Sequence, residues 1–66
     1  MANRPYFKPW KTPTGLLVYV KKPDQPGGNW TACIVGDREK ELIDTPSRRA
    51  ASEYAWTIRD QYEAAQ

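Results

Sequence analysis

Two stretches of the chain divide between two faces with the period of a strand. From Gly15 to Lys22, Leu16, Val18 and Val20 alternate with Leu17, Tyr19 and Lys21. From Trp30 to Val35, one face collects Trp30, Ala32 and Ile34 and the other Thr31, Cys33 and Val35. β-Branched and aromatic residues are enriched in both, as strands require. The segment Pro23-Asp24-Gln25-Pro26-Gly27-Gly28 between them is a loop by composition. After a tight turn at Gly36-Asp37-Arg38-Glu39, Lys40 to Asp44 reads as a short third strand with Leu42 and Ile43 on opposite faces. The period then changes to that of a helix. Ala51, Ala55, Ile58, Tyr62 and Ala65 recur on one side of a segment running from Pro46 to the C-terminus. Thr45 suits the N-cap and Pro46 the first helical position, where a missing amide costs nothing.

Residues 1–14 follow neither period. Pro5, Pro9 and Pro13 forbid a helix and disfavour a central strand. This segment reads as an extended arm and residues 15–66 as a single body. The expected fold is α+β: a three-stranded antiparallel meander, one C-terminal helix packed on one sheet face, and a Pro-rich N-terminal arm. In topology alone this order resembles the arm-binding domains of phage integrases and the later part of double-stranded-RNA-binding domains. No residue motif assigns the chain to a family.

Charge sharpens the division between arm and body. Residues 1–22 carry Arg4, Lys8, Lys11, Lys21 and Lys22 and no acid, giving +5; the remainder carries five basic and eight acidic residues, giving −3, for a total of +2. A basic arm either folds onto its own acidic body or reaches an anionic partner.

At 66 residues the chain makes one domain, small enough to be marginal without staples. Its lone cysteine, Cys33, allows no internal disulfide and fits a reducing, cytoplasmic compartment. The N-terminus has no apolar run behind its charge, so no signal peptide is expected. No stretch approaches the length of a membrane span. The chain has no histidine, and hence no usual general base. Nothing in it suggests a metal site, a cofactor or a small-molecule substrate. The expectation is a protein that binds and does not catalyse.

Four features carry candidate binding chemistry. The sheet is apolar on both faces, because the face opposite the helix shows Leu17, Tyr19, Thr31, Cys33 and Val35 and ends at Lys21. A solvated sheet face should be polar, so either the arm covers it or a partner, foreign or identical, does. Trp56 lies about 140° from Ala51 on the helical wheel, off the apolar stripe. It either packs on the arm or anchors an interface together with Arg59. Arg48 and Arg49 sit in the first helical turn, where the dipole disfavours cations. Either Asp44 or Glu53 compensates them, or they bind an anion. The arm interleaves Arg4, Tyr6, Phe7, Lys8, Trp10 and Lys11, a pattern that suits a protein groove or a nucleic-acid strand.

The leading expectation is a protein-binding module: a regulator, inhibitor or accessory subunit of the kind phages and mobile elements encode. Its contacts would be Arg4, Tyr6, Phe7, Lys8, Trp10, Lys11, Tyr19, Lys21, Trp56 and Arg59. The rival is a nucleic-acid-binding domain that uses the arm with Lys22, Arg48 and Arg49.

Overall fold

A computed structural model describes residues 4–65. The elements are β1 (Trp10–Lys11), β2 (Leu17–Lys21), β3 (Trp30–Val35), β4 (Glu39–Thr45) and α1 (Arg48–Ala64). The strands form one antiparallel sheet in the order β1-β2-β3-β4, and α1 packs across β2, β3 and β4. The α+β class is as expected, but the sheet has four strands and not three.

The added strand comes from the arm. Trp10 pairs with Val18 and Lys11 with Leu17. Pro9 and Pro13 flank this pairing and hold it to two residues, because proline donates nothing to a ladder. Residues 12–16 reverse the chain. The Thr12 amide donates to the Leu16 carbonyl at 2.7 Å and the Leu16 amide to Thr12 Oγ1 at 2.9 Å. Gly15 takes φ +90° there, where a side chain would strain the backbone. A boundary between arm and body at residue 14 therefore does not describe the folded chain. Phe7, deep in the arm, is a core residue at 8% exposure.

Register assigns the faces. The row Trp10–Val18–Ile34–Lys40 and the row Val20–Ala32–Ile43 lie on the helix side. The back face carries the rows Leu17–Val35–Glu39, Tyr19–Cys33–Glu41 and Lys21–Thr31–Asp44. A register shift between Ala32 and Cys33 leaves Leu42 as an extra residue on β4. This bulge corrects the expectation that Leu42 and Ile43 point to opposite faces. Ile43 pairs with Ala32, and Leu42 lines a depression with Ile34 and Ile58, both on the helix side.

The helix starts two residues later than expected. Ser47 is the N-cap, its Oγ accepting the Ala50 amide at 3.1 Å. Thr45 cannot serve, because pairing with Trp30 holds it in β4; Pro46 precedes the cap. Along the helix stripe the side chains grow from small to large. Ala51 and Ala55 are fully buried, Ile58 and Tyr62 only half-buried, and Ala65 is exposed.

Candidate functional site

The two flanks of α1 differ. On the β1 flank the arm runs beside the helix, against residues one turn apart. Arg4 Nη1 pairs with Asp60 at 2.9 Å, the Trp56 indole N–H donates to the Pro5 carbonyl at 3.0 Å, and the Phe7 amide donates to Ser52 Oγ at 2.8 Å. The Phe7 ring meets Trp56 edge-on, 5.2 Å between centroids. Phe7, Val18 and Ala55 form the buried centre, with Trp10, Val20, Ile34, Trp56 and Ile58 packed around it. Trp56 lies off the apolar stripe because it packs on the arm and not on the sheet, the first of the two roles its place on the wheel allows.

The arginines are largely absorbed by this flank. Arg48 lies over the Tyr6 ring at 3.9 Å and over Trp30 at 5.0 Å, and Arg49 reaches Tyr6 at 5.7 Å. Among the described residues neither forms an ion pair with Asp44 or Glu53. The aromatic faces take the compensating role, a contact worth about 0.5–1 kcal/mol at an exposed site. Arg59 pairs with Glu63 at 2.7 Å and lies near Trp10 and Trp56. Arg4 lies over Trp56 at 4.9 Å. Tyr6 is 43% exposed, while Lys8, Lys11 and Lys22 are exposed.

On the β4 flank no described residue fills the angle between helix and sheet. Ile34, Leu42, Ile58 and Tyr62 line an open depression of about 450 Å³, with Lys40, Gln61 and Ala65 at its more exposed margin. β4 is the last strand of the sheet, so its outer edge pairs with no strand among the described residues. An unpaired edge beside an apolar groove can take an extended segment: the backbone supplies hydrogen bonds, and the groove takes alternate side chains. The sequence places Ile34 on the helix-facing side of its strand and Ile58 and Tyr62 on the apolar stripe, but a stripe does not distinguish a sealed core from a half-open one. The taper from Ala51 and Ala55 to Ile58 and Tyr62 is the signal that marks the difference.

The arm does not cover the back face. Its central positions are buried by their own neighbours: Cys33 is fully buried and Thr31 is 8% exposed. The Tyr19 hydroxyl donates to Glu39, and Lys21 Nζ lies 3.7 Å from the same carboxylate. The bond to Glu39, followed by burial, raises the Tyr19 pKa above its ordinary value. Burial first, and then the Glu39 charge, raises that of the Cys33 thiol. Leu17 remains 39% exposed and Val35 half-buried, leaving a polar surface with a small apolar margin.

Among the described residues no three His, Cys, Asp or Glu side chains gather as a metal site, and no helix is long and apolar enough to cross a membrane. Comparison of the chain with protein families, curated proteins and solved structures finds no match.

Proposed function

We propose that this chain is a non-enzymatic protein-binding module, a regulator, inhibitor or accessory subunit, that takes an extended segment of a partner protein along β4. One observation carries this reading: the apolar groove of Ile34, Leu42, Ile58 and Tyr62 lies directly beside an unpaired strand edge. The back face supports docking less well, because Tyr19, Lys21 and Glu39 close over Cys33. The nucleic-acid reading is also weakened, since Arg4, Arg48 and Arg59 are engaged within the fold.

Selection from a display library of random peptides tests the proposal. Binders that lose affinity with Leu42→Lys and keep it with Arg48→Ala support it. No enrichment, or binders indifferent to Leu42→Lys, overturns it. Salt-sensitive binding to mixed-sequence DNA or RNA at about 50 mM salt, abolished by Lys8→Ala and Lys11→Ala, would favour the rival reading.

A further inference from the structure

The two sides of β4 differ in chemistry, and the difference defines a partner. On the helix side the free edge borders the groove through Leu42, with Lys40 at the groove margin. On the back side it carries Glu39, Glu41 and Asp44. Glu39 is engaged by Tyr19 and Lys21. Glu41 and Asp44 are exposed, and among the described residues no cation lies within ion-pairing distance of them. Each ends a cross-strand row, Tyr19–Cys33–Glu41 and Lys21–Thr31–Asp44, that a further strand would extend by one place.

Resting on the reading of β4 as a docking edge, we propose that its partner segment alternates aliphatic with basic residues. In a strand added to β4, successive side chains fall on opposite faces of the sheet. Those on the helix side enter the groove. Those on the back side stand directly opposite Glu41 and Asp44, where opposite charges stabilise a pair and like charges destabilise it. The same argument disfavours a second copy of the chain. Two β4 strands paired with matching faces set Glu41 against Glu41, and Asp44 against Glu39 or another Asp44. The acidic row thus works against self-pairing and favours a foreign, basic strand.

Three short peptides test this, alternating valine with lysine, with threonine or with glutamate, titrated into the full chain while its backbone amide resonances are followed. The valine–lysine peptide should shift the β4 amides and bind about fivefold or more tightly than the threonine peptide, with the glutamate peptide weakest. Glu41→Lys with Asp44→Lys, both at exposed positions, should reverse that order while leaving the circular dichroism spectrum unchanged. If all three bind β4 equally, or if the double variant keeps the original order, the charge rule is wrong and the docking edge stands. If none moves the β4 amides, the docking edge falls with it.

Discussion

The two flanks of α1 start from the same geometry and end differently. On each, a helix over a twisted sheet leaves an angular gap. On the β1 flank, Phe7, Trp10 and Trp56 fill it. On the β4 flank, Ile34, Leu42, Ile58 and Tyr62 line it without closing it. The closed flank draws on arm residues some fifty positions away; at the open flank the arm reaches Tyr62 through Trp10, 5.9 Å between ring centroids, and leaves the groove uncovered among the described residues. A small domain can therefore complete its core on one side and keep apolar surface on the other, at a stability cost the closed side must offset.

If that contrast is right, substitutions on the two flanks differ in size. Phe7→Ala should cost the most, about 3–5 kcal/mol, since it empties the buried centre. In a domain of this size that approaches the whole stability. Trp56→Ala should follow at about 3 kcal/mol, near the lower end for a large aromatic because the ring is only half-buried. Thermal melts check both, and a Trp56→Ala variant that melts with the parent would show the arm to be undocked in solution. Ile58→Ala should cost only about 1–2 kcal/mol, below the range for a fully buried isoleucine, because its outer side faces the groove. A loss equal to that of Phe7→Ala would mean the groove is sealed. Leu42→Ala should stay within about 1 kcal/mol.

The smallest effect belongs to the back face. Tyr19 and Cys33 have raised pKa values in the folded chain. Their contribution to stability is full below the unfolded values, about 8.5 for cysteine and 10 for tyrosine. It is lost as pH rises from there through the folded values. Urea melts should be superimposable from about pH 6 to 8 and weaken above about pH 9. Tyr19→Phe should remove the part of that loss appearing above about pH 10. A parent protein equally stable at pH 8 and at the alkaline end would contradict the Tyr19–Glu39 bond.

Much of this architecture is legible in the alternation of residues 16–21 and 30–35 and in the helical period after Pro46. What is not legible depends on contacts between distant parts of the chain. The Pro-flanked Trp10–Lys11 becomes a strand only because Val18 and Leu17 offer it an edge. Thr45 and Ser47 are equally good caps locally, and the pairing of Thr45 with Trp30 decides between them. The side on which Leu42 falls turns on one unpaired residue that alternation cannot reveal. The helical wheel sets Trp56 off the apolar stripe, but it does not show that the arm lies beside it.

The same arm contacts govern how the chain comes together in time. The meander is built from hairpins between neighbouring strands, whereas Phe7–Ser52, Pro5–Trp56 and Arg4–Asp60 close loops of 45, 51 and 56 residues. Loop closure must be paid for before such contacts return anything. The expected order is that the hairpins and helix assemble first and the arm locks last, after the rate-limiting step. Phe7→Ala should in that case speed unfolding by nearly its whole equilibrium effect and leave the refolding rate almost unchanged, an asymmetry that stopped-flow chevrons read directly. The arm then acts as a latch, setting how long the native state lasts without setting how fast it forms.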